Sequence, residues 1–125
     1  MKTENTDQGV LEIWTPEEVA QALDKHEIAL IDVRTPQEYM FEHIPGALLF
    51  PMSFFDAAHL PSQDGKRLVF YCGSSVRSGK MAQKAMAAGY SPMAHLEGGF
   101  GNWKKSGQRY VGTEMSSGAP KEMTA

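Results

Sequence analysis

The residue with the most chemistry to offer is Cys72, the single cysteine in a chain of 125 residues. It opens the segment Cys72-Gly73-Ser74-Ser75-Val76-Arg77-Ser78, directly after the β-forming run Leu68–Tyr71 and directly before a helical pattern. Small residues let a backbone curl so that several N–H groups point at one centre. A helix N-terminus adds positive potential at the same place. Both favour a thiolate over a thiol, so Cys72 is expected to have a depressed pKa and to be nucleophilic near neutral pH. Arg77, at the spacing Cys-x4-Arg, adds a permanent positive charge. The sum is a cradle for an anion attached to sulfur, walled by Gly73, Ser74, Ser75, Val76 and Arg77. The competing reading is a core thiol packed as a small hydrophobe; the strand-end position, the turn and the arginine weigh against it.

Other chemistry is sparse. One cysteine excludes an internal disulfide and any multi-cysteine zinc site, and His26, His43, His59 and His95 stand without ligand spacing. No metal and no cofactor is therefore expected. Asp32 and Arg34 close another apolar run, Ile28–Ile31, which brings them to the same end of a sheet. An ion pair or backbone hydrogen bonds that brace the loop suit them better than substrate contact. A net charge of −3 gives no electrostatic footprint for nucleic acid, and no Lys/Arg block suggests a membrane surface. No run is long enough to span a bilayer, and the polar residues 1–9 do not read as a secretory signal. A lone thiol fits a reducing compartment, so the expected location is cytoplasmic.

The elements that must position these residues follow from periodicity. With 42% hydrophobic and 22% charged residues the composition is that of one globular domain. Residues 1–9 read as a disordered leader, 10–112 as the domain and 113–125 as a disordered tail. Leu11–Trp14, Ile28–Ile31, Ala47–Phe50, Leu68–Tyr71 and Met93–Leu96 read as strands. Between them, Thr15-Pro16-Glu17-Glu18 and Thr35-Pro36-Gln37-Glu38 carry the same helix-opening pattern of cap, proline and acidic third residue. Val76–Ala88 forms a longer helix ended by Gly89, and a last helix lies around Phe100–Lys105. Strands alternating with helices predict an α/β domain with a mainly parallel sheet. In such a sheet ligands bind beyond the carboxyl ends of the strands, where Cys72 falls.

Three further segments carry a family resemblance. Asp32-Val33-Arg34 with Glu38-Tyr39 resembles the D-V-R-x-x-x-E-[FY] segment of rhodanese domains. Tyr39 to Ala47 resembles their [FY]-x3-H-[IL]-P-G-A signature, and Leu96-Glu97-Gly98-Gly99-Phe100 with Trp103 resembles L-x-G-G-[FW]-x-x-W. With the cysteine loop between them, the resemblance spans about residues 11–110. It implies a rhodanese-like fold, a five-stranded mainly parallel sheet with helices on both faces. It also implies a sulfurtransferase: the Cys72 thiolate takes a sulfane sulfur from a donor such as thiosulfate, and the persulfide passes it to cyanide or a thiol. By the same analogy, backbone N–H groups of Gly73 through Arg77 hold the persulfide. The resemblance makes His43 a structural member of its signature, Gly98 and Gly99 sites of close backbone approach, and Phe100 and Trp103 core residues.

The loop also departs from the family pattern. Single-domain members often show Cys-x-x-Gly-x-Arg, and here Ser75 takes the glycine's place, where φ > 0 costs a serine more. Cys-Gly-Ser-Ser-Val is also similar to the Cys-Gly-[ST]-Gly-Val of mercaptopyruvate sulfurtransferases, but Arg77 replaces their threonine. Phosphatases of the same fold use Cys-x5-Arg; one residue fewer shrinks the cradle toward a sulfur atom. Two other readings stand beside the thiosulfate enzyme. One is a non-enzymatic binding or regulatory module, the other a relay with a sulfur donor or acceptor protein.

Overall fold

The computed structural model describes residues 1–124. Strand β1 (Lys2–Thr6) turns back into β2 (Gly9–Trp14), which leads into helix α1 (Pro16–Asp24). Thr15 caps that helix as its sequence suggests: its hydroxyl accepts the Glu18 N–H at 3.2 Å, and the Glu18 carboxylate accepts the Thr15 N–H at 2.9 Å. The same box recurs after β3 (Ile28–Asp32), where Thr35 and Glu38 open α2 (Pro36–Phe41). There follow β4 (Leu48–Leu49), β5 (Arg67–Tyr71), α3 (Val76–Ala87), β6 (Met93–Leu96), α4 (Gly99–Lys105), β7 (Arg109–Thr113) and β8 (Pro120–Thr124).

The main sheet has the order β1-β2-β6-β5-β3-β4, and every pairing is parallel except β1 with β2. Residues of the central strands alternate between two buried clusters. Leu30, Val69, Tyr71 and Leu96 point to one face, with Val19 of α1 and Trp103 of α4. Ile31, Leu68, Phe70 and Met93 point to the other, with Met81 and Met86 of α3. Helices thus cover both faces, which is why these strands read as continuous apolar runs. No helix among the described residues is long and apolar enough to cross a membrane.

The five expected strands are all present, and β1 extends the sheet to six. Lys2–Thr6, expected as part of a disordered leader, forms the full antiparallel ladder with β2, from Lys2 opposite Ile13 to Thr6 opposite Gly9. Its side chains are exposed apart from Thr6, so no apolar alternation marks it. Backbone pairing and the turn hold it instead, with Thr6 Oγ1 donating to the Gly9 carbonyl at 2.8 Å. Pro120–Thr124, expected within a disordered tail over 113–125, pairs with β7 as a two-stranded hairpin; Ala125 of that tail lies outside the described residues. The hairpin is fastened to the domain by His43 and Val111, which exchange backbone hydrogen bonds of 2.9 and 2.7 Å.

Candidate active site

Cys72 follows β5 directly, and its carbonyl accepts the Phe100 N–H at 2.8 Å while the Gly73 carbonyl accepts the Gly101 N–H at 3.1 Å. The first turn of α4 therefore grips the start of the cysteine loop. Gly99 makes that grip possible: at φ +63°, a Cβ there would stand 2.5 Å from the Cys72 carbonyl oxygen. Of the two glycines read as sites of close backbone approach, Gly99 makes this contact, whereas a Cβ on Gly98 would meet the side chain of Asn102.

The sulfur is held by backbone amides. Cys72 is fully buried, and Sγ accepts the Ser75 N–H at 3.0 Å and the Ser78 N–H at 3.3 Å. Burial pushes the thiol up, but hydrogen bonds from the Ser78 N–H and hydroxyl, with those of the Ser74 and Ser75 amides, outweigh it. The net result is a Cys72 pKa below the ordinary value for a thiol. Ser75 is the cap of α3 and sits at φ +105°, in the left-handed region that favours glycine. The position where the sequence departs from the family pattern is thus one where the backbone asks for glycine.

The other expected cradle residues play different parts. The Gly73 carbonyl ties the loop to α4, Ser74 is exposed, and Val76 turns its side chain out to solvent at 64% exposure. Arg77 lies against the loop, 3.2 Å from where a Cβ on Gly73 would be. Its guanidinium is engaged by Glu38, with Nη1 and Nη2 donating to the two carboxylate oxygens at 2.7 and 3.0 Å. That fork-to-fork pair joins the first turn of α2 to the first turn of α3 and fixes the loop's outer side.

Asp32 and Arg34 form a buried ion pair at 2.8 Å. Arg34 also donates to the Glu42 carbonyl at 2.7 Å and lies 4.7 Å over the Phe100 ring. The pair binds the end of β3 to α2 and α4 and makes no contact with Sγ, so it braces the floor on which the loop rests. His43 is stacked on Tyr39 at 3.8 Å, with Nδ1 2.7 Å from the Tyr39 carbonyl. It is a structural member of its signature, and Trp103, donating to the Arg109 carbonyl at 2.8 Å, is core.

Three residues of the site were not singled out by sequence. Ser78 supplies both an amide and a hydroxyl near Sγ, and its place in the first turn of a helix after a strand is the signal that could have found it. Glu38 was legible as a capping residue and as a member of the D-V-R-x-x-x-E-[FY] segment, but not as the partner of Arg77. His95 looked like one scattered histidine among four, yet its Nδ1 lies 2.9 Å from Ser78 Oγ.

Comparison with known proteins bears on the family and the fold. The family model of the rhodanese-like domain matches residues 15–106. An uncharacterized protein of Synechocystis is 39% identical over 99 residues, 79% of this chain and 55% of that protein. A probable adenylyltransferase/sulfurtransferase MoeZ of Mycobacterium tuberculosis is 41% identical over 99 residues, 75% of this chain and 25% of that protein. The chain thus spans about half of the first and a quarter of the second. The thiosulfate:glutathione sulfurtransferase of Saccharomyces cerevisiae is 30% identical over 122 residues, covering 84% of this chain and 88% of that one. Among solved structures, the rhodanese-like domain of an Anabaena protein superposes with a TM-score of 0.70 at 22% identity, covering 86% of this chain and 83% of the other. The alternating strands and helices, the cysteine loop beyond β5 and the matched span carry one conclusion: the chain belongs to the rhodanese-like domain family.

Proposed function

We propose that this chain is a sulfurtransferase that carries a sulfane sulfur on Cys72, taking it from thiosulfate or a persulfide donor and giving it to cyanide or a thiol. The observation that carries this reading is the pair of amides, Ser75 and Ser78, donating to Sγ at 3.0 and 3.3 Å at the start of α3. In the first half-reaction the Cys72 thiolate attacks the outer sulfur of thiosulfate. A new S–S bond forms, the donor's S–S bond breaks, and sulfite leaves with the electron pair. In the second, the acceptor attacks the outer sulfur of the persulfide and the pair returns to Sγ as thiolate. Negative charge stays on sulfur throughout, and preorganised amides stabilise it without reorganising.

The same geometry speaks against phosphate-ester hydrolysis. A phosphate dianion in a cysteine loop needs an arginine fork turned inward, whereas both arms of Arg77 are held by Glu38. A protein partner as donor or acceptor is a second reading. It is favoured by the 41% identity over 99 residues to part of a probable adenylyltransferase/sulfurtransferase, a relative whose name joins sulfur transfer to a second activity. In either case a lone thiol of this kind belongs in a reducing compartment such as the cytoplasm.

Steady-state rates with thiosulfate and cyanide varied together test the enzyme reading. Two half-reactions through one persulfide give parallel double-reciprocal lines, and Cys72→Ser gives no turnover. Intersecting lines, or turnover surviving in Cys72→Ser, would overturn it.

A further inference from the structure

A second line of polar groups leads away from the sulfur. Cys72 Sγ lies 3.6 Å from Ser78 Oγ, and that hydroxyl lies 2.9 Å from His95 Nδ1. All three residues are buried, the histidine at 7% exposure. His95 Nε2 makes no hydrogen bond among the described residues, yet it is not sealed in as an orphan. The ring forms part of the wall of a cavity of about 260 Å³, together with Glu4, Ile13, Ser75 and Glu97. The cavity therefore touches both the far end of this line and the loop residue whose amide holds Sγ.

We propose that His95 is the proton-handling partner of Cys72, exchanging a proton with its sulfur through the Ser78 hydroxyl and with solvent through the cavity. The Ser78 hydroxyl has a second acceptor, the Ser75 carbonyl at 3.1 Å; in the thiol form S–H points to Ser78 Oγ, and Oγ–H turns from that carbonyl to the nearer Nδ1. On ionisation the S–H bond breaks, its proton bonds to Oγ, and the serine's own proton bonds to Nδ1; the electron pair stays on sulfur. The imidazolium then releases its Nε2 proton to solvent in the cavity. What remains is a neutral ring donating from Nδ1 to Oγ, with Oγ–H turned to the thiolate. His95 is a positioning residue here, because it acts through Ser78 and does not touch the sulfur.

The surroundings suit the role. Burial lowers the His95 pKa below that of an ordinary imidazole, against an opposing pull from Glu4, so the ring is neutral and able to accept a proton at neutral pH. Charged groups reach it from β1 as Glu4 and from the end of β6 as Glu97, and Lys2 pairs with Glu97 at 3.7 Å. β2 contributes apolar Leu11 and Ile13. From α3, Ser78 and Gly79 approach the ring, while Arg77 is turned to Glu38 and Lys80 is exposed. The proton's route thus opens toward the acidic side chains of Glu4 and Glu97.

This inference deepens the sulfur-transfer reading, but its test uses no sulfur donor. The rate of Cys72 alkylation by iodoacetamide is followed across pH in the full chain and two variants. The unsubstituted protein is expected to show two ionisations, because Cys72 and His95 titrate as a pair. His95→Asn keeps a hydrogen-bonding group near Ser78 but takes up no proton. It is expected to collapse the profile to one ionisation and to slow alkylation near neutral pH about tenfold, the effect of one pKa unit. Ser78→Ala, which leaves the ring and cuts its link, is expected to do the same. Should His95→Asn not fold, nitrogen NMR of the His95 ring in the unsubstituted protein decides alone: blocking Cys72 must change which ring nitrogen carries the hydrogen, or its titration. Profiles of one shape in all three proteins, or a ring indifferent to the blocking of Cys72, would overturn the proposal. A protein that shows this coupling but accepts no sulfur keeps the inference and loses the sulfur-transfer reading; transfer without coupling does the reverse.

Discussion

Ser75 joins conflicting demands in one residue. Its amide must point at Sγ, which fixes its backbone at φ +105°, and a side chain at such an angle costs about 1–3 kcal/mol. Its own hydroxyl makes no capping hydrogen bond that would offset the strain. Glycine meets the same geometry freely and loses only about 0.5–1 kcal/mol through the greater freedom of the unfolded chain. Ser75→Gly is therefore expected to raise stability by about 1 kcal/mol while preserving the Cys72 hydrogen bonds. Urea unfolding with a fitted midpoint checks this; an unchanged or lower midpoint would mean that the strain is relieved elsewhere in the loop. At this scale the sequence was informative, since the departure from glycine marked the strained position. It could not assign the donors: the second amide on Sγ belongs to Ser78, which only the turn of α3 brings back to the sulfur.

The elements around the loop are linked by side chains that serve two of them at once. Glu38 closes the capping box of α2 and also receives both arms of Arg77 at the start of α3. The Arg77 hydrogen bonds, opposed by burial and aided by the Thr35 amide, hold its carboxyl at about 2. A carboxyl lower in the folded chain than in the unfolded one contributes stability that is fully present above its ordinary value of 4.5 and is lost as pH falls toward about 2. Both partners are about a third exposed, so solvent screens the pair. Glu38→Gln is expected to cost about 1 kcal/mol at neutral pH, the scale of a lost cap and a surface ion pair. It is also expected to flatten the loss of stability between pH 4.5 and 2. Urea titrations at pH 7 and near that acid range measure both effects; an unaltered acid dependence would remove Glu38 from the acid response. The capping pattern was legible in Thr35-Pro36-Gln37-Glu38, but the tie to Arg77 joins residues 39 positions apart and leaves no local trace.

Across the whole molecule, what could be read ahead is what apolar burial writes into a sequence. The β3 and β5 runs are buried on both faces and so stand out as unbroken hydrophobic stretches. β1 and β8 present exposed side chains and are held by backbone ladders, which leave no such pattern. Nor does His95 announce itself, because its meaning depends on β6 lying beside α3. The fold brings the ends of β3, β5 and β6 and the first turns of α3 and α4 to one point, and Cys72 occupies it. Sulfur transfer through this site depends on that sulfur accepting another. The most direct measurement is the intact mass of the protein before and after thiosulfate or a small persulfide donor, with Cys72→Ser alongside. The expected result is a gain of one sulfur atom that is absent in the variant and is removed by cyanide or a thiol. A folded protein that gains no sulfur from either donor, or a variant that gains it equally, would rule out sulfur transfer through Cys72.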